Sequence, residues 1–279
     1  MCAVGALSGA TAATKPAPKF IGKPDQAEGA HILAGFRNVG IRGGYWLRFE
    51  LTVIPRQGDE RVLNGEMSGL QGADGPLTRL VVDDPSNKGG SHEQRYLLHG
   101  GANAEAWTWN AGEHGAKAHP LPAEQWLAPV QGTDLTLFDL QMPFLRWSDF
   151  AYEGVANVRG RPAHAFLLYP PPSFTPPADT LAPAAVRVFL DTQFAAMTQA
   201  EWVDANGKPL KTVTVLDLKK VGEQWLVKSI DLRNHQTRAK TRFAVVAVAL
   251  DLSWTPETFA PETLPRPAAA VPSEKIERF

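Results

Sequence analysis

The side chains of this sequence that are suited to acid–base or nucleophilic chemistry do not form a known catalytic pattern. Ser148 and His164 belong to no nucleophile motif, and no G-x-S-x-G segment occurs. Asp83 and Asp84 could pair with Glu201 for glycoside chemistry, but adjacent side chains on a strand point to opposite faces. The Asp-Asp-Pro sequence is more typical of a turn at a strand end. We therefore predict that the protein is not an enzyme.

A stretch rich in histidine is the best candidate for metal binding. It contains four histidines and three glutamates: His92, His99, His114, His119, Glu93, Glu105 and Glu113. Zinc sites usually contain closely spaced ligand pairs such as H-x₃-H, and none occurs here. We expect no metal and no cofactor, and a hydrolase site within residues 92–119 is the weakest alternative that the sequence leaves open.

Composition indicates one folded domain and argues against nucleic-acid binding. The chain has 279 residues, of which 44% are hydrophobic and 20% are charged, so it can bury a sizeable core. The net charge of −1 gives no basic footprint for nucleic acid. Cys2 is the one cysteine, which excludes an internal disulfide.

The ends of the chain differ in character from its middle. Residues 1–13 are small, apolar and uncharged and end in a small-x-small sequence, which predicts the remnant of a signal peptide and therefore export to the periplasm. Residues 14–24 are predicted to be a linker, 25–264 one domain, and 265–279 a disordered tail. No apolar run reaches the ~20 residues that a membrane span needs.

Between these ends the pattern predicts a long antiparallel sheet with few helices. Asp25 and Glu28 form a capping box for an N-terminal helix, and period-two alternation begins at Tyr45. Strand patterns then recur to residue 250, joined by turn residues such as those of 204–207. Residues 242–250 are apolar on both faces, which predicts that both sides of the sheet are covered there.

One short helical pattern interrupts the strands. Thr133 or Asp134 is predicted to cap this helix, and Pro143 to stop it. We call residues 133–144 the lid segment, because a short apolar helix at this point can lie across the sheet.

The order of several motifs resembles the outer membrane lipoprotein-sorting family, the LolA-like proteins, over residues 30–264. The matching motifs are Gly132-Thr133-Asp134 with Asp139, Tyr152-Glu153-Gly154, Gly160-Arg161-Pro162, Phe189-Leu190-Asp191, Ala200-Glu201-Trp202, Asn206-Gly207-Lys208 and Phe259. The resemblance implies a mainly β fold, an incomplete antiparallel β-barrel whose concave face is covered by a few short helices around a hydrophobic cavity. It also implies transport of acyl chains of lipoproteins or similar lipids through the periplasm, between a membrane donor and an acceptor protein.

Large apolar residues of the lid segment and of the strands are candidates to line such a cavity. They are Trp107, Trp109, Leu137, Phe138, Leu140, Met142, Phe144, Phe189, Trp202 and Trp225. Ordinary core packing is the more common explanation for any single one of them, and only a cavity would separate the two. If Trp107 and Trp109 were exposed, they could instead form a stacking platform in a carbohydrate- or cell-wall-binding module.

Basic residues are concentrated on the late strands. Residues 208–242 contain nine lysines and arginines against three acidic residues, which suggests peripheral contact with anionic lipid. The alternative is a solvated outer face on which lysine discourages edge pairing.

Overall fold

One antiparallel sheet of fifteen strands dominates the protein. The computed structural model describes residues 19–37, 40–86, 93–110, 115, 117–194 and 196–279. The strands are β1 (Phe20–Ile21), β2 (Gly44–Ile54), β3 (Arg61–Gln71), β4 (Pro76–Asp83), β5 (Glu93–His99), β6 (Glu105–Asn110), β7 (His119–Pro120), β8 (Asp149–Val158), β9 (Arg161–Tyr169), β10 (Ala185–Asp191), β11 (Met197–Val203), β12 (Pro209–Val221), β13 (Gln224–Asn234), β14 (Lys240–Leu252) and β15 (Glu277–Arg278). The two α-helices are α1 (Gln26–Phe36) and α2 (Leu137–Gln141).

The sheet is a meander in two runs that meet at β14. Its order is β1-β8-β9-β10-β11-β12-β13-β14-β2-β3-β4-β5-β6-β7, and β15 adds to β14. Every pairing is antiparallel, and the sheet does not close into a barrel. The predicted half-barrel fold is therefore confirmed. The sheet has an inner, concave face, which carries the main core cluster, and an outer face.

Helix α1 protects the border of the sheet at β8. Asp25 caps the helix by accepting hydrogen bonds from the backbone N–H groups of Ala27 and Glu28, as the capping pattern predicts. The side-chain amide of Gln26 then donates to the carbonyl of Tyr152 at 2.8 Å and accepts from its N–H at 2.9 Å. Gly29 allows the close contact, since a Cβ there would lie 2.5 Å from the Cβ of Tyr152.

The lid segment contains α2, although its cap differs from the prediction. Thr136, and not Thr133 or Asp134, is the N-cap, and it forms a capping box with Asp139. Met142 ends the helix in a left-handed conformation with φ of 45°, directly before Pro143. Shorter 3₁₀ turns precede and follow α2: Ala123–Leu127, Val130–Gly132 and Pro143–Arg146.

Strand β14 is buried on both faces, as its sequence predicts. Phe243, Val245 and Val248 point to the inner core, whereas Ala247 and Ala249 belong to a cluster on the outer face. The change of phase follows from a register shift between residues 245 and 247.

The C-terminal region covers the outer face. We call residues 254–266 the strap. Arg79 is buried and donates hydrogen bonds to the carbonyls of Thr263, Leu264 and Arg266, at 3.1, 3.2 and 2.6 Å. Burial lowers the pKa of Arg79 to about 10. Arg95 donates to the same part of the strap.

The last residues also differ from the disorder expected for 265–279. Glu277 and Arg278 pair with Val248 and Ala247, and the N–H of Phe279 donates to the carbonyl of Val246 at 2.9 Å. Apolar contacts on the outer cluster, made by Val271 and Ile276, hold the segment in place, a tertiary effect that composition does not indicate.

Loss of the Arg79 side chain should destabilise the fold. We expect Arg79→Met to lower the free energy of unfolding by about 3 kcal/mol, because three strap carbonyls lose a charged donor. Urea unfolding followed by circular dichroism measures this. Arg48→Met is the matched control, since Arg48 makes an exposed ion pair with Glu66 and should change stability by less than about 1 kcal/mol. An equal effect of the two substitutions would contradict the role of Arg79.

Candidate functional site

The inner face of the sheet and the lid segment share one apolar core. Buried side chains reach it from both runs of the sheet, including Phe49 on β2 and Phe166 on β9. From the lid segment come Leu135, Leu137 and Phe138, each at most 2% exposed. The hydrophobic space expected beneath the lid segment is thus occupied by the lid's own side chains.

Phe138 is the centre of this packing. Its ring meets that of Trp202 edge-on, with centroids 5.1 Å apart, and three further rings surround it. These are Phe144 at 5.6 Å, Phe174 at 5.7 Å and Trp147 at 6.1 Å. Tilted and edge-to-face contacts of this kind stabilise beyond area burial alone, so Phe138 anchors α2 to the sheet.

Two polar contacts tie the lid segment to the strands below it. The Thr241 side-chain oxygen accepts a hydrogen bond from the N–H of Asp134 at 2.8 Å and donates to its carboxylate at 3.1 Å. The Lys211 ammonium forms an ion pair with Asp139, and the two side chains are only 2% and 5% exposed. A buried pair of this kind is a weak net stabiliser, because desolvation offsets most of the attraction.

Some buried polar atoms in the charged part of the site have no hydrogen-bond partner within the part of the chain that the structure describes. Asp139 Oδ2 accepts from the Thr136 N–H and hydroxyl as well as from Lys211, at 2.9 and 2.7 Å for the two threonine bonds. Among the described residues, Asp139 Oδ1 and Trp202 Nε1 are buried without a hydrogen-bond partner. Burial raises the pKa of Asp134, although the Thr241 hydroxyl and the Lys211 charge act in the opposite direction.

An open groove of about 540 Å³ lies beside the lid segment. Its walls come from β5, β6, the 3₁₀ turns before α2 and Leu137: Gln94, Tyr96, Thr108, Asn110, Leu121, Gln125, Ala128, Pro129, Val130, Gln131, Gly132 and Leu137. Because Leu137 also belongs to the core, the groove reaches the packed interior from outside.

The structure brings together most of the predicted cavity residues. Leu137, Phe138, Phe144 and Trp202 are buried in the inner core, and Leu140 and Met142 pack partly buried against it. The other four candidates, Phe189, Trp225, Trp107 and Trp109, lie outside the inner core. Phe189 lies in a separate cluster on the outer face, since its strand neighbours point inward, and Trp225 is 64% exposed.

Trp107 and Trp109 share a face, as predicted, but it is the outer one. Trp109 is 8% exposed and packs with Phe259 and Leu264 of the strap, and Trp107 lies partly buried beside them. Neither tryptophan is therefore an open stacking platform, which removes the basis for the carbohydrate-binding alternative.

Part of the histidine-rich stretch supports the strap. His99 Nε2 lies 2.8 Å from the carbonyl of Phe259, and its ring lies 4.8 Å from that of Trp107. His92 and His114 lie outside the described residues. Within the part of the chain that the structure describes, no three His, Cys, Asp or Glu side chains are grouped as metal ligands.

The polar residues beneath the lid segment were missed by sequence reasoning. The burial of Lys211 could have been predicted, because it is two residues from Val213 and therefore lies on the same, apolar face of β12. Its partner could not be inferred, since Asp139 and Lys211 are 72 positions apart.

The chain has a LolA-like fold, an open antiparallel sheet whose inner face is covered by short helices. An outer membrane lipoprotein-sorting protein domain from Vibrio parahaemolyticus is similar, with a TM-score of 0.72, 17% identity, and coverage of 86% of this chain and 97% of that one. A DUF1329 family protein from Desulfovibrio piger has a TM-score of 0.71 and 15% identity, and the match covers 85% of this chain and 98% of that one. A LolA superfamily protein from Nitrosomonas europaea has a TM-score of 0.60 and 10% identity, and the match covers 84% of this chain and 98% of that one.

At these identities the similarity establishes the fold, and the resemblance seen in the sequence is confirmed at that level. A family model described as an uncharacterized protein matches residues 91–266, which is more than half of the chain, so the chain belongs to this family. No curated protein matches its sequence.

The buried ion pair should behave as a coupled unit. We expect Lys211→Met alone to lower the free energy of unfolding by about 3–5 kcal/mol, because Asp139 is left buried without its counter-charge. The double substitution Lys211→Met with Asp139→Leu should recover most of this loss. Urea unfolding of the two single variants and the double variant measures the coupling, and additive effects would show that the two side chains are independent.

Proposed function

We propose that this protein is a periplasmic carrier that shields the acyl chain of a lipoprotein or lipid-like cargo from water. It is not an enzyme in this proposal. The observation that carries the proposal is the packing of the lid segment, whose Leu137, Phe138 and Phe144 side chains fill the inner face of an open sheet. The LolA-like fold supports the same conclusion.

In this mechanism, the cargo replaces the lid side chains. Exposing Leu137, Phe138 and Phe144 costs roughly 5–9 kcal/mol, taking about 1.5–3 kcal/mol for each side chain. An acyl chain gains about 0.8 kcal/mol per buried CH₂. About six to eleven buried CH₂ groups therefore offset the displacement of the lid, so a chain of about twelve carbons or more suffices and one of about four does not.

The groove beside Leu137 provides a starting point for this exchange. It reaches the core where the lid segment begins. The lid is held by the aromatic contacts of Phe138, by Lys211 and by Thr241. Separation of the Lys211–Asp139 pair is costly unless water or another anion takes the place of Asp139. Release would follow when a membrane acceptor takes the cargo and the lid returns.

Uptake of acyl chains tests the proposal directly. Delipidated protein exposed to fatty-acyl ligands should bind palmitoyl compounds and fail to bind butanoyl ones, as measured by native mass spectrometry. We expect Phe138→Arg and, independently, Leu140→Arg to abolish uptake, because each places a charge where the chain would lie. Trp225→Ala is the matched control and should bind normally, since Trp225 is exposed away from the lid.

Thermal unfolding by circular dichroism checks that each variant is folded. An apo mass that never shifts, for the folded wild-type protein and every chain length, would exclude a carrier of acyl chains.

Peripheral membrane contact through residues 208–242 stays a prediction, but exposed apolar side chains now support it better than the basic residues do. Several of the basic side chains have acidic neighbours: Lys240 and Arg242 both lie beside Asp231, at 3.5 and 2.8 Å. The exposed residues Trp225 and Val227 share one face of the β12–β13 hairpin and suit the lipid interface better. Trp225→Ala should therefore reduce liposome co-sedimentation, and wild-type protein that never sediments with anionic liposomes would end this prediction.

A further inference from the structure

Lys211 is an unusual residue for the wall of an apolar cavity. It lies on β12 opposite Trp202 on β11, and its side chain is 2% exposed. Its ammonium nitrogen lies 4.3 Å from the centroid of the Trp202 ring, which is the ring that also meets Phe138. The charge is therefore located where the acyl cargo of the proposed function would end.

The other buried cations lie elsewhere. Among the described residues, Arg79 and Arg187 are the remaining buried basic side chains, and both point to the outer face. Arg79 is bound by strap carbonyls, and Arg187 pairs with Glu153 at 2.7 Å and Glu201 at 3.7 Å. Within the described part of the chain, Lys211 is the buried cation of the inner face.

The lid segment itself neutralises Lys211. Phe138 packs its ring against Trp202, and the carboxylate of the next residue, Asp139, pairs with Lys211. This sequence of groups, an apolar body followed by one anionic head, has the chemistry of a fatty acid. When the lid segment leaves, Lys211 loses this partner and becomes a buried or half-wetted charge without a counter-ion, which is costly.

We infer that Lys211 binds the anionic head of the cargo, and that Asp139 occupies this position as an internal substitute while the lid is closed. The inference rests on the proposed function and names its ligand class, a single-chain amphiphile with a carboxylate or phosphate head.

Matched ligands and variants with opposite expected effects test the inference. Palmitate and methyl palmitate share one chain and differ in the charge of the head. The wild-type protein should bind palmitate about 10- to 100-fold more tightly than the ester, a ratio typical of a charged hydrogen bond. Lys211→Met should abolish this preference, so that palmitate and methyl palmitate bind with equal affinity. Asp139→Asn should tighten palmitate binding, because it removes the internal competitor.

Dissociation constants come from displacement of a fluorescent acyl probe, and palmityl phosphate against palmitate distinguishes the two kinds of head. If Lys211→Met unfolds, the double variant with Asp139→Leu replaces it, with the same expectation. Equal binding of acid and ester by the wild-type protein overturns this inference and leaves the carrier function intact. Failure of every long-chain ligand to bind overturns both.

Discussion

An antiparallel sheet that curves without closing has two faces and two borders to protect from water, and this requirement governs the rest of the molecule. Strand β14 shows it most clearly, because it lies where the two runs of the sheet meet and is apolar on both sides. Its inner side needs the lid segment, and its outer side needs residues that come after it in the chain. The helices, the strap and the C-terminal strand are best understood as these covers.

The two covers differ in the kind of contact that holds them. The strap is fixed by arginine donors that reach several backbone carbonyls, a directional arrangement that few alternatives could replace. The lid segment is held by aromatic packing and by a buried ion pair whose net contribution is small. Non-directional apolar contact can be exchanged for contact with another apolar body, and this difference is the physical reason for locating cargo binding on the inner side.

Much of the fold could be predicted from the sequence, because strand alternation and turn chemistry are local. The alternation predicted from Tyr45 coincides with β2, and Asp25 caps α1 as expected. Local information failed at α2, where three neighbouring residues are all suitable caps. Thr133 instead bonds the carbonyl of Val130, which leaves Thr136 to begin the helix.

The site was harder to predict, for a geometric reason. Alternation indicates that Trp107 and Trp109 share a face, but it does not say which face is concave. That depends on the strap, which lies about 150 residues further along the chain and packs on the tryptophans. The same limit applies to Lys211. Alternation along β12 indicates the face on which Lys211 lies, but it does not indicate its partner in the lid segment. The apolar residues of the lid segment lie in or against the inner core, because their helix has only one apolar side to bury.

The contact between Gln26 and Tyr152 has a consequence for how copies of this protein behave together. A free strand border is a template on which other chains can polymerise, and the carboxamide of Gln26 satisfies the same donor and acceptor that an incoming strand would use. A helix thereby ends the row of backbone bonds with a single side chain. We expect this contact to oppose fibre growth at Tyr152, because it blocks the addition of a strand from another copy there.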